Sequence, residues 1–379
     1  MKNFYVVRWI ACMLLACLLG CAFAGDARAD DEAQGKASAL EDALSSALDA
    51  AQMGRGLTQG SVDVIVSAAA DAFSGKGKAP VVQARKEQGK GIFYQTTLRI
   101  PLRTFMGYLL NVDVPGEALY PTSVRCDAWR QPSRVKAGLK PLLESSFPPS
   151  AMLTASGEER EETTPDESSG CHYRYTLKRL FALANVGGRT ALLSVSVMPA
   201  ASETGEKGAI ADEKNWRYVY DSKVGTNMAM MGGAATKIYG AATVSVYMED
   251  KPGGSSTKLG VFKWTRAGWS GMNVVQQKHI TKGIKRYIDG MRKVFEASGR
   301  PSPAKIAAEA SRLQGLDKAA LCRLLEPESQ ALASSTADIL KASPYKEAVS
   351  GGKYAETLTA EQLRSEAIKC WMRRQTLGR

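Results

Sequence analysis

Several runs between Ile92 and Trp264 place an apolar side chain at every second residue, and this constrains the fold more than anything else in the chain. Successive side chains of a strand point to opposite faces, so a period of two predicts strands with two unlike faces. Tyr173, Tyr175 and Leu177 alternate with Arg174, Thr176 and Lys178. Beyond Asn185-Val-Gly-Gly188, Leu193, Val195 and Val197 alternate with Ser194 and Ser196. Two such runs around a glycine turn predict an antiparallel hairpin with one apolar and one polar face. Ile92–Ile100 is rich in aromatic and β-branched residues and stops at Pro101, a further strand signal. Trp216, Tyr218 and Tyr220 repeat the pattern, as do Val244, Val246 and Met248. The turn Lys251-Pro-Gly-Gly254 then leads to a strand over Leu259–Trp264.

Helical spacing flanks this region. Leu40, Leu44, Leu48 and Ala51 form one stripe behind the capping-box pair Ser38 and Glu41, and Val62, Ile65, Val66, Ala69 and Phe73 form a second. The glycine–lysine stretch from Gly75 to Gly91 reads as a flexible joint. From about Val275, Ile280, Ile284, Tyr287, Ile288, Met291 and Phe295 share one helix face, while Lys278, Lys282, Lys285, Arg286 and Lys293 occupy the rest. Pro303 after Ser302, Asp317, and Thr359 with Gln362 are helix-start signals in an alanine-rich tail. The expected class is α+β: a central antiparallel β-sheet with a long amphipathic helix, flanked by helical N- and C-terminal segments. The expected boundaries are a leader over 1–29, a helical arm and linker over 30–90, the sheet domain over 91–298 and a helical module over 299–379.

Two inserts interrupt the sheet pattern. Residues 154–170 carry Glu158, Glu159, Glu161, Glu162, Asp166 and Glu167 with almost no apolar residue, which predicts a mobile acidic loop. Residues 227–240 are rich in methionine and glycine but lack the spacing of a phosphate-binding loop, so a plain sheet connection is expected.

Lys2 and Arg8 precede the apolar run from Trp9 to Gly20, which is short for a membrane span but suits a signal peptide. Small-residue exits end at Ala24 and Ala29, and Leu18-Leu19-Gly20-Cys21 offers an alternative in which Cys21 is lipidated. The expected location is periplasmic or secreted, or membrane-anchored through lipid. Cleavage after Ala29 removes three cations and one anion, so the formal charge falls from +12 to +10. In an envelope, such a charge either faces anionic headgroups or acidic polymers rather than nucleic acid, or serves solubility alone. The mature chain keeps Cys126, Cys171, Cys322 and Cys370. An even count in an oxidising compartment predicts disulfides, with 126–171 and 322–370 as the chosen pairing. Each would close a loop of roughly 45–50 residues and stabilise by roughly 3–4 kcal/mol.

No motif fixes a reaction. The chain has two histidines, His172 and His279, no CxxC, no H-E-x-x-H and no G-x-S-x-G elbow, so neither a metal nor a cofactor is expected. His172 adjoins Cys171, yet neighbouring strand residues point apart, which weakens a thiol nucleophile. The segment Val261–Asn273 interleaves Phe262, Trp264 and Trp269 with Lys263 and Arg266, beside Lys278, His279 and Lys282. Aromatics beside cations can stack on rings and pair with phosphate or carboxylate, so Lys263, Trp264, Arg266, Trp269, Lys278, His279 and Lys282 are the candidate ligand-binding set. The competing expectation for this segment is that Phe262 and Trp264 alternate into the core and His279 is a solvent-facing helix residue. The expected function is a non-catalytic binding or assembly role in the envelope, toward an anionic ligand, surface or protein partner. The alternative is a periplasmic hydrolase with dispersed acid/base residues, which would show a deep cleft holding two or more perturbed carboxylates.

Overall fold

The computed structural model describes residues 34–75, 79–228, 233–342 and 344–378. The expected leader over 1–29, with Cys21, lies outside the described residues, as do 76–78 of the joint and 229–232 of the methionine-rich connection. Helices α1 (34–53) and α2 (Gln59–Ser74) come first. They are followed by β1 (Lys90–Leu98), α3 (Leu102–Leu109), α4 (Gly116–Leu119), β2 (Val124–Arg130) and α5 (Pro132–Glu144). The central region contains β3 (Leu153–Thr163), β4 (Cys171–His172), β5 (Arg174–Val186), β6 (Arg189–Val197), β7 (Glu206–Asp212), β8 (Arg217–Val224), β9 (Thr236–Glu249) and β10 (Thr257–Trp269). The long helix α6 (Gln277–Phe295) then leads to α7 (Pro303–Gln314), α8 (Lys318–Leu324), α9 (Glu326–Ala333), α10 (Tyr345–Val349) and α11 (Ala360–Leu377).

Seven strands form one antiparallel sheet in the order β1-β10-β9-β6-β5-β3-β2, and β4-β7-β8 form a smaller one. The fold is α+β, with a large antiparallel sheet between helical segments. The hairpin of β5 and β6 turns at Gly187 and Gly188, whose φ angles of 59° and 79° are the pair that a two-residue primed turn requires. Alternation then distributes the side chains. Leu193, Val195 and Val197, with Val244, Val246, Phe262 and Trp264, pack against the buried stripes of α1 and α2. On the other face, Phe181, Leu183, Leu192, Tyr247 and Leu259 share a core with α3, α6 and the C-terminal helices. The sheet is thus the middle of three layers. Helix α6 is seated by Ile280, Ile284, Ile288, Met291 and Phe295. Helix α11 begins with the reciprocal Thr359–Gln362 cap expected from its spacing.

Three expectations are corrected. Residues 154–163 belong to strand β3, hydrogen-bonded between β2 and β5, rather than to a mobile acidic loop. Their carboxylates are matched by arginines distant in sequence, which removes the reason for the segment to stay in water. The described part of the joint, 79–89, is packed: Arg85 pairs with Glu41 at 2.5 Å and Val82 is buried beside Gly91 and Trp264. All four described cysteines are free thiols, so neither the 126–171 nor the 322–370 bridge is formed. Cys126 lies on β2 of the large sheet and Cys171 on β4 of the small one. The Cys171 thiol donates to Gly225 O at 3.1 Å. Cys322 Sγ lies against Ala355 O at 3.7 Å, whereas Cys370 Sγ lies against Glu328 at 3.6 Å. No helix among the described residues is long and apolar enough to cross a membrane.

Candidate functional site

The polar half of the alternation is not all turned to water. Ser194 and Ser196 project from β6 on the side covered by α6 and are only 6% and 8% exposed. Register places Arg179 opposite Ser196, Ser196 opposite Thr243, and Thr243 opposite Lys263. One row across four adjacent strands therefore reads cation, hydroxyl, hydroxyl, cation, with about 4.8 Å between neighbours. The next row reads Phe181, Ser194, Ser245, Val261. Gly283, Ile284, Arg286 and Tyr287 of α6 cover these rows, and Tyr175 and Tyr247 add further walls. The cleft, partly open to solvent, has a volume of about 330 Å³, at the small end of the usual range for small-molecule sites.

Lys263 is the distinctive group in this cleft. Its Nζ makes one long hydrogen bond, to Thr243 Oγ1 at 3.4 Å. Among the described residues no carboxylate lies within 4 Å of it, unlike the other cations lining the cleft. Burial lowers its pKa; the charge of Glu161 opposes that shift and the charge of Arg179 adds to it. Arg179 donates to Glu159 at 2.6 Å and lies 4.0 Å from Glu161. Burial works against the Arg179 charge, but Glu159 and Glu161 more than offset it and its pKa is raised. Glu161, which also receives the Tyr175 hydroxyl, has a raised pKa because burial and the Glu159 charge outweigh Arg179.

Behind the cleft, the acidic strand organises two further clusters. Glu162, 7% exposed, meets Arg125, Arg174 Nε at 3.0 Å and His172 Nδ1 at 3.1 Å. Its burial opposes ionisation, yet His172, Arg125 and Arg174 hold its pKa well below the ordinary carboxylate range. Arg125 also sits over the Tyr220 ring at 3.5 Å. His172 thus serves the carboxylates Glu162 and Glu206, while the Cys171 thiol turns to Gly225, so the two do not form a nucleophile–base pair. Asp127 has a pKa raised well above its usual value by burial and by the neighbouring carboxyls of Glu117 and Glu159. It accepts the Gly116 amide at 2.7 Å and opens on an adjacent cavity rather than the cleft. Among the described residues, no group of three histidine, cysteine or acidic side chains is placed to hold a metal ion.

The structure separates the seven candidates drawn from the sequence. Lys263 lines the cleft. Trp264, one residue along, faces the opposite layer, is fully buried, and donates Nε1 to Gln83 O at 2.8 Å. Arg266 lies 5.4 Å from the Tyr239 ring and donates to Gly271 O, and Trp269 is half-buried at the end of β10. Lys278 and His279 are exposed at the start of α6, where His279 Nδ1 accepts the Gln276 amide at 3.3 Å as part of the helix cap. Lys282 pairs with Glu167 at 2.7 Å. Arg179, Glu161, Ser194, Ser196 and Thr243 were missed as site residues. The Ser194/Ser196 alternation is the signal that pointed toward them, but its value depends on α6 covering that face. No family model matches the chain, and no curated protein matches it.

Proposed function

We propose that this chain is a non-catalytic binding protein that takes a small anionic ligand into the cleft between the large sheet and α6. The observation that carries this reading is Lys263: a half-buried ammonium on the cleft wall whose one hydrogen bond is the long one to Thr243, with no carboxylate in ion-pair range among the described residues. A desolvated cation of this kind gains more from an arriving anion than an exposed one does. Arg179 and Arg286 are already matched by Glu159 and Glu213, so Lys263 is the charge available to a ligand.

Calorimetric titration of the full chain with D-galacturonate tests this. Lys263→Met should weaken binding roughly tenfold to hundredfold, the scale of one hydrogen bond to a charged group. The double variant Arg266→Ala, Trp269→Ala should bind as the wild type does, because neither residue lines the cleft. Unchanged binding in the lysine variant would refute the assignment.

The hydrolase alternative draws support from Glu161, which lines the cleft with a raised pKa. Asp127, whose pKa is raised well above the usual value, does not line it, and Glu161 is already engaged by Tyr175 and Arg179. Asp166, the second carboxyl lining the cleft, accepts the amides of Ser168 and Ser169 in its own turn, and two carboxyls so committed favour holding a ligand over general acid/base turnover. We also place this role outside the cytoplasm, on the basic start, apolar run and Ala-x-Ala exits of the first 29 residues. Intact mass of native protein should correspond to a chain starting at Asp30 or at a lipidated Cys21, and a retained Met1 would contradict export.

A further inference from the structure

The rows of hydroxyls beneath α6 say more about the ligand than its charge. Resting on the anion-binding reading of this cleft, we infer that the occupant is a hydroxylated monocarboxylate of monosaccharide size, a sugar acid. Three observations converge on this class.

The first is the charge of the site. Lys263 is the one cation lining the cleft that has no carboxylate within 4 Å among the described residues, because Arg179 is held by Glu159 and Arg286 by Glu213 at 2.9 Å. One unmatched positive charge suits one negative charge. Glu161 lies in the same cleft and would repel a dianion such as a phosphate ester.

The second is the hydroxyl array. The side chains of Ser194 and Ser196 are more than nine-tenths buried, line the cleft and have no hydrogen-bond partner among the described residues. Buried polar groups are ordinarily paired, so partnerless hydroxyls facing a cavity mark positions where a ligand or water completes the bonding. Thr243 and Ser245 stand opposite them on β9, in register with Lys263 and Val261 on β10. A hydroxyl both donates and accepts, so this two-by-two array matches a ligand that is itself hydroxylated and does not select a hydrophobic anion.

The third is shape. The cleft holds about 330 Å³, and tyrosines 175, 247 and 287 form its other walls. Aromatic bodies with polar tips suit a molecule that is apolar on its C–H faces and polar at its rim.

The test is calorimetric titration of the full chain with three probes. D-galacturonate carries both features, D-galactose the hydroxyls without the charge, and acetate the charge without the hydroxyls. D-galacturonate should bind at least tenfold more tightly than either. Ser194→Ala with Ser196→Ala should remove most of the advantage over acetate while leaving acetate binding unchanged. The variants should melt no lower than wild type, since the hydroxyls lost have no protein partner; if the double variant fails to fold, each single variant should show part of the same loss. Acetate binding as tightly as D-galacturonate, with Lys263→Met still weakening both, would overturn the sugar-acid assignment and leave anion binding standing. Equal binding of all probes to wild type and Lys263→Met would overturn both.

Discussion

Replacing Glu162 with glutamine should cost about 3–5 kcal/mol of folding stability, the usual penalty for removing one partner of a buried ion pair. Glu162 answers Arg125, whose side chain is 2% exposed, and also Arg174 and His172. Glutamine keeps the shape and loses the charge, so Arg125 is left in the interior with the Tyr220 ring as its remaining counterpart. The sign of the pH dependence follows from the direction of the shift. The folded pKa of Glu162 lies below its unfolded value, so its stabilisation is complete above the ordinary glutamate range near ~4.3 and fades as pH falls toward the folded value. Urea unfolding at pH 7 should show the full loss in Glu162→Gln. Between pH 5 and pH 3 (roughly the onset of glutamate protonation) the variant should lose less further stability than wild type. A loss under about 1 kcal/mol at pH 7 would mean that the cluster is not the buried network described.

Trp264→Ala is expected to be comparably costly, about 3–5 kcal/mol, for a different reason. The indole is fully buried between the sheet and α1/α2, its Nε1 holds Gln83 O, and Arg85 lies over its ring at 4.9 Å. Truncation leaves a cavity and frees the segment around Gln83 and Arg85. Ligand binding by the folded fraction should not change, because Trp264 points away from the cleft that Lys263 lines. Unfolding monitored by denaturant and titration at low temperature separate the two effects. A variant of native stability that had lost binding would return Trp264 to a recognition surface.

These two residues show what the sequence made legible. Trp264 sits in an alternating run, and alternation identifies the β5–β6 hairpin, β9 and β10, because each of those strands has one face in an apolar layer, while the aromatic and β-branched run ending at Pro101 marks β1. The same local signal could not separate Lys263 from Trp264 as functional residues, although a strand necessarily sends neighbours to opposite sides. β3 was illegible for a deeper reason. Glu159, Glu161 and Glu162 read as solvated charges until Arg125, Arg174 and Arg179 are brought beside them by β2 and β5. Such pairing depends on strand neighbours rather than on the segment itself. The cleft was hidden in the same way, since Ser194 and Ser196 become unusual only once α6 covers them. The cysteine pairing failed because an even count says nothing about which thiols meet.

A crystal structure of the full chain with D-galacturonate tests the central claim most directly. The ligand carboxylate should lie within about 3 Å of Lys263 Nζ, a charge-assisted contact, with ring hydroxyls at Ser194 and Ser196. Ligand density on the outer rim around Arg266 and Trp269, with the cleft beneath α6 holding only water, would contradict it.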